Sequence, residues 1–136
     1  MHITVDQVNA RVPVAILRLQ GDLDGSNYRD VIERAQALYQ AGQRDLLLDL
    51  SAVPFSSSAG LVAMHTIALL FRGVTPDPDV QGWRAIRALS DAQDAGKQQH
   101  VKLLSPQPRV AAALEQVGMH AFFEIFTEQA PAVAAF

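Results

Sequence analysis

Leu46-Leu47-Leu48-Asp49-Leu50-Ser51-Ala52-Val53-Pro54-Phe55-Ser56-Ser57-Ser58-Ala59-Gly60-Leu61 is the stretch on which the fold turns. Its first five residues are a nearly continuous apolar run without alternation, the pattern of a strand covered on both faces in a largely parallel sheet. That strand is expected to be central. A turn around Pro54 then carries three serines to the mouth of a helix predicted from about Leu61 to Phe71. Leu61, Val62, Met64, Ile67, Ala68 and Phe71 leave that helix with almost no polar side, so it should be the most buried one. A buried strand feeding a buried helix through a tight bend is the repeating step of an α/β sheet.

Upstream, Tyr28, Val31, Ile32, Ala35, Leu38 and Tyr39 recur at three-and-four spacing and Gly42 follows, which predicts a helix with one buried face and a stop. Ile3, Val5 and Val8 suggest a polar edge strand, and Val12 to Leu19 a longer one, paired as a hairpin across Asn9-Ala10-Arg11. Downstream, Val74 to Asp79 reads as a loop on its prolines, and Trp83, Ile86 and Leu89 mark one face of a further helix ending near Gly96. Val101 to Leu104 reads as a strand. Ser105-Pro106 reads as a helix start, with Val110, Ala113, Leu114 and Val117 facing inward as far as Gly118. Phe122 to Phe126 is the expected last strand, and Ala130 to Phe136 a loosely held tail. The order is β-β-α-β-α-(α)-β-α-β, and strands joined through helices run parallel. The fold class is therefore α/β, a mixed and mostly parallel sheet with crossover helices.

At 136 residues, 49% hydrophobic and 18% charged, the chain suits one compact domain over residues 1–136. A net charge of −3 gives no excess of cations to release counterions from a nucleic acid or to hold an anionic membrane. The greasiest run, Gly60 to Phe71, is far short of the ~20 apolar residues that cross a bilayer. The start lacks the basic end and apolar run of a signal peptide, and the absence of cysteine fits a reducing cytoplasm while removing disulfides and thiolate sites. These features argue for a soluble cytoplasmic protein. His2, His65, His100 and His120 have no partners at metal-binding spacing, and no glycine-rich phosphate loop is present. No cofactor or metal is expected. His65, on the apolar helix, reads as a packed, hydrogen-bonded histidine whose burial favours the neutral ring.

The serine loop carries what chemistry the sequence offers. Backbone N–H groups at a helix start lack intrahelical partners and carry roughly half a positive charge together. One hydroxyl there is explained as a cap, worth ~1 kcal/mol; three exceed that need. One use is nucleophilic: Ser58 and Gly60 match G-x-S-x-G except that Ser56 stands for the first glycine, and Asp91 or Asp94 with His100 or His120 follow in the order of a serine hydrolase. A chain of this length lacks material for the larger sheet of that fold. The other use is phosphorylation, because a phosphate on Ser58 brings ~1.5 to 2 negative charges to a spot that already favours an anion. Such a change alters what docks there, and a tenfold change in affinity needs only ~1.4 kcal/mol.

Asp49 to Leu61 resembles the signature of STAS domains, the family of bacterial anti-sigma-factor antagonists, stressosome proteins and sulfate-transporter tails. Gly21-Asp22-Leu23-Asp24 is similar to that family's earlier turn, and with the spacing between the two motifs and the Ser105-Pro106 helix start the likeness extends over nearly the whole chain. In the antagonists the loop usually reads Asp-Ser-Ser/Thr-Gly, the first serine being phosphorylated by a cognate anti-sigma kinase. By position the resemblance makes Ser58 the acceptor; Ser57 replaces the Asp, Ala59 replaces the second hydroxyl and Gly60 is retained. Loss of the Asp removes a carboxylate that a kinase could recognise. A second departure is an insertion around 74–98, either a tolerated excursion or a partner-specific or dimer-forming element anchored by Trp83. The resemblance implies a non-enzymatic regulatory module in bacterial transcription. It would bind a protein partner, an anti-sigma factor or serine kinase, through Asp22, Asp24, Ser56, Ser57, Ala59 and Gly60, with Ser58 as the switch. A scaffold or sensor domain without phosphoregulation is the alternative in the same fold. Asp22 and Asp24 serve recognition in this reading, while capping of the turn accounts for them equally well.

Overall fold

The computed structural model describes residues 1–73 and 98–136. Two strands, β1 (His2–Asn9) and β2 (Pro13–Gln20), form the hairpin, antiparallel with His2 opposite Gln20 and Asn9 opposite Pro13. Helix α1 (Tyr28–Gln40), strand β3 (Leu46–Ala52) and helix α2 (Ser58–Phe71) follow. Further along the chain come strand β4 (Val101–Leu104), helix α3 (Pro108–Gln116), strand β5 (Ile125–Phe126) and helix α4 (Gln129–Ala134). The sheet order is β1-β2-β3-β4-β5, with β2, β3, β4 and β5 parallel. The central position of β3 is as the sequence implies, and Leu46 to Leu50 are all buried.

Strand alternation sorts the side chains into two cores. Ala15, Leu17 and Leu19 of β2, Leu46, Leu48 and Leu50 of β3 and Val101 and Leu103 of β4 join the buried residues of α1, α2 and α3 in the larger core. Val14, Ile16, Leu47 and Leu104, one residue out of step, form a smaller core with Ala132 and Val133 of α4. The α2 helix begins at Ser58, three residues before its first large apolar side chain. It buries nine of its 14 residues, in keeping with its lack of a polar side.

Three expectations are corrected. Ser105-Pro106 does not open α3; the helix starts at Pro108, with Gln107 in the capping position. Ser105 is consumed by the strand pairing instead, its N–H donating to the Phe126 carbonyl at 2.7 Å and its Oγ to the Thr127 carbonyl at 2.9 Å, in a left-handed conformation of φ 50°. The last strand is only Ile125–Phe126. Phe122 and Phe123 follow a 3₁₀ turn, Met119–Ala121, and enter the larger core as an edge-on pair with centroids 5.0 Å apart. The two rings fill volume and lie outside the β4–β5 ladder, while the Phe122 carbonyl accepts from the Gln98 N–H at 2.9 Å. The segment from Ala130 is not a loose tail, because α4 docks Ala132 and Val133 on the second face of the sheet. The helix expected around Trp83 and nearly all of the insertion expected around 74–98 fall outside the described residues.

Candidate functional site

The carboxyl ends of β2 and β3 hold the two loops singled out in the sequence. Gly21, at φ 109°, turns the chain out of β2 in a conformation that favours glycine, and its N–H donates to the Ala52 carbonyl at 3.0 Å. Two residues on, Leu23 and Ser56 form an isolated parallel bridge. In it the Leu23 N–H donates to the Phe55 carbonyl at 3.0 Å and the Ser57 N–H to the Leu23 carbonyl at 2.9 Å. Leu23 is fully buried. The Gly21–Asp24 turn and the serine loop are thereby stitched into one surface.

Gly60 makes this approach feasible. A Cβ there would overlap Ser56 Oγ and stand 2.8 Å from Leu23 Cγ, closer than a side chain can accept without displacing its neighbours. Retention of glycine at position 60 thus has a packing cause that links both motifs.

The three serines have different fates. Ser56 is buried at 4% exposure and its Oγ donates to the Ser57 carbonyl at 3.2 Å. Ser57 occupies the capping position of α2 but makes no side-chain cap bond; its Oγ is buried with no hydrogen-bond partner among the described residues. Ser58 is the first residue of α2 and exposed, beside the N–H groups that a helix start leaves unpaired. Ala59 is half-buried and Gly60 buried. Hydroxyl capping, expected for one of the three, is not what any of them does.

Across the bridge, Asp24 is committed to its own turn. Its Oδ1 accepts from the Ser26 N–H at 2.9 Å and from Ser26 Oγ at 2.5 Å, and these two bonds hold its carboxyl below the usual range. Asn27 completes the turn, with Oδ1 accepting from the Asp24 N–H and Nδ2 donating to the Asp22 carbonyl. The Asp22 side chain is exposed and takes no part in that turn. Capping therefore accounts for Asp24 and leaves the Asp22 carboxylate facing outward.

A cleft of ≈ 440 Å³ opens beside the serines, between the start of α2 and the outer side of α3. Its walls include Phe55, Ser58 and Leu61 on one side and Arg109, Ala113 and Gln116 on the other. The Arg109 guanidinium lies over the Phe55 ring at 5.0 Å, and Gln107 Nε2 donates to the Ser51 carbonyl at 2.8 Å, fixing the start of α3 against the loop. Sequence reading missed Phe55, Arg109 and Gln116. Placing the helix start at Pro108 would have put Arg109 in the first turn, level with the serines.

The histidines of the hydrolase alternative are remote from Ser58. His100 precedes β4, so it sits at the amino ends of the parallel strands, where its Nδ1 is 2.9 Å from Asp45 Oδ1. His120 follows the far end of α3 and is exposed. Asp91 and Asp94 lie outside the described residues. His65 is buried as expected, at 3% exposure beside Phe122, and burial pushes its ring down to about 4. Its Nδ1 has no hydrogen-bond partner among the described residues. Among the described residues no cluster of three His, Asp or Glu side chains could hold a metal, and no helix is long and apolar enough to cross a membrane.

A search of curated protein sequences finds no match. Among solved structures, a candidate anti-sigma factor antagonist from Thermotoga maritima is 17% identical with a TM-score of 0.67, covering 96% of this chain and 91% of its own. An anti-sigma factor antagonist from Mycobacterium paratuberculosis is 16% identical with a TM-score of 0.64, over 98% and 93%. The Bacillus cell fate determinant SpoIIAA in its phosphorylated form is 14% identical with a TM-score of 0.55, over 97% and 96%. These share the fold. The STAS domain model matches residues 6–75, which span both loops and the whole of α2, and the chain belongs to the STAS domain family.

Proposed function

We propose that this chain is a regulatory, non-catalytic module of bacterial transcription. In this reading it binds an anti-sigma factor through the surface around Asp22 and Ser56 to Gly60, and phosphorylation of Ser58 by a serine kinase weakens the contact. The observation that carries the reading is the exposed Ser58 at the start of α2, joined through the Leu23–Ser56 bridge to the turn that presents Asp22. A phosphate there adds charge and bulk to a formed surface without needing the fold to open. Similar solved structures include anti-sigma factor antagonists, one of them phosphorylated. Capture of candidate anti-sigma kinases by wild type and by the form carrying phosphoserine at position 58 tests the proposal. Weaker capture by the phosphorylated form is expected; equal capture removes the switch.

The second reading is a scaffold that binds without phosphoregulation. It is favoured by Ser57, whose buried hydroxyl offers no carboxylate for a kinase to recognise. Incubation with such kinases and ATP, followed by intact-mass measurement, separates the two: transfer of one phosphoryl group to Ser58 supports the switch, and an unchanged mass supports the scaffold.

A further inference from the structure

The cleft beside the serines has one charged side chain among its described lining residues, and it is a cation, Arg109. No carboxylate among the described residues lines it, although the protein as a whole carries a net charge of −3. Two other arginines are occupied, Arg18 bonded to Asp6 and Asp49 and Arg44 donating to the Tyr39 and Gln43 carbonyls. Arg109 is exposed and has no ion-pair partner among the described residues; its guanidinium lies over the ring of Phe55, three residues before Ser58. Stacking orients a guanidinium and leaves its N–H fork free. That fork matches phosphate oxygens in a bidentate contact.

We propose that Arg109 is the residue that captures a phosphate carried on Ser58, drawing it across the cleft onto α3. The inference rests on Ser58 being a modified position, as proposed above, and assigns the group that reads the modification. The consequence is specific. Phosphorylation then occupies part of the cleft and turns its charge from positive to negative, so a partner side chain that uses the cleft loses both space and attraction at once. An aspartate at position 58 is shorter and singly charged, and it imitates this state only in part.

The test uses full-length protein with phosphoserine incorporated at position 58 during translation, so that acceptance of Ser58 by any kinase is irrelevant to the outcome. Phosphorus NMR titration reads the second ionisation of the phosphate in the wild type, Arg109→Lys and Arg109→Gln. A midpoint about half a unit or more lower in the wild type than in Arg109→Gln is expected, with Arg109→Lys between them. Because Arg109 is exposed, the variants should fold. In the wild type alone, the Arg109 Nε–H resonance should move on phosphorylation, which gives a readout that needs no substitution. Equal midpoints in the wild type and Arg109→Gln, or an Arg109 resonance indifferent to the phosphate, overturn the assignment. Failure of every kinase to modify Ser58 would instead strike the switch itself and leave these measurements standing.

Discussion

One face of the sheet is packed by α1, α2 and α3 and is apolar across β2, β3 and β4, whereas the other is split into an apolar half under α4 and a charged half around Arg18. The contrast runs along a single strand: Leu48 of β3 is fully buried in the larger core, while its neighbour Asp49 accepts from Arg18 Nη1 at 2.7 Å on the opposite side. Arg18 is further tied to Asp6 at 2.6 Å and to Gln129 Oε1 at 2.9 Å, so the ionic half also anchors the first residue of α4. Lys102, 2% exposed, stands 3.3 Å from Glu124 and 5.0 Å over the Phe136 ring. The helical face holds the fold together and positions the serine loop; the other face closes the sheet with a short helix and a few charges.

Truncations on the two faces should separate these roles. Leu48→Ala should cost about 2–5 kcal/mol, because the cavity lies where three helices and the sheet cannot collapse together. Chemical denaturation reads this directly, and a loss below ~1 kcal/mol would erase the distinction between the faces. On the helical side there is also an acid-sensitive site. His65 is held near 4 against an ordinary value of 6.5, by burial first and by the charge of Arg72 second. The folded state therefore binds fewer protons than the unfolded chain between those values, and stability falls as pH drops from 6.5 towards 4. Roughly 2–3 kcal/mol should be lost over that window, and His65→Leu should flatten the slope.

The effects on the second face should be smaller. Val133→Ala removes two methyl groups under α4 and should cost roughly 1–2 kcal/mol, with no change at the serine loop. Burial alone would raise Asp49, yet hydrogen bonds from Ser51 and the pair with Arg18 outweigh it and hold its carboxyl below the ordinary 3.8. Its contribution is thus present above that value and lost below it, at a lower pH than the His65 window. Since Arg18 is partly exposed, Asp49→Asn should cost under ~1 kcal/mol at pH 7 and remove that part of the loss below pH 4. Acid unfolding curves of the two variants should differ in where they flatten, His65→Leu above pH 4 and Asp49→Asn below it.

Much of the helical face was legible from residue spacing, since Leu46 to Leu50 and the apolar α2 follow periodic patterns that burial enforces. The second face was not. The same leucine run is buried on both sides, which requires something to cover Leu47, but nothing in the alanine-rich segment after Gln129 marks it as that cover except its composition of small apolar residues. The start of α3 was misplaced because two prolines, Pro106 and Pro108, offer the same local signal; a strand contact through Ser105, distant in sequence, decides between them. At the site, the position of the serines at the mouth of α2 was legible from the apolar run that follows them. The locking of Leu23 against Gly60 was not, because that contact joins two loops far apart in the chain and exists only once the strands are parallel.

The reciprocal backbone bonds between Leu23 and the Phe55–Ser57 segment have a dynamic consequence. Neither loop can lift from the sheet without breaking the other's amide protection, so the Leu23 and Ser57 amides should exchange with solvent deuterium at a common rate, as one cooperative opening unit. Any ligand that clamps the serines should then slow exchange at residue 23 as well, making that distant amide a reporter of occupancy.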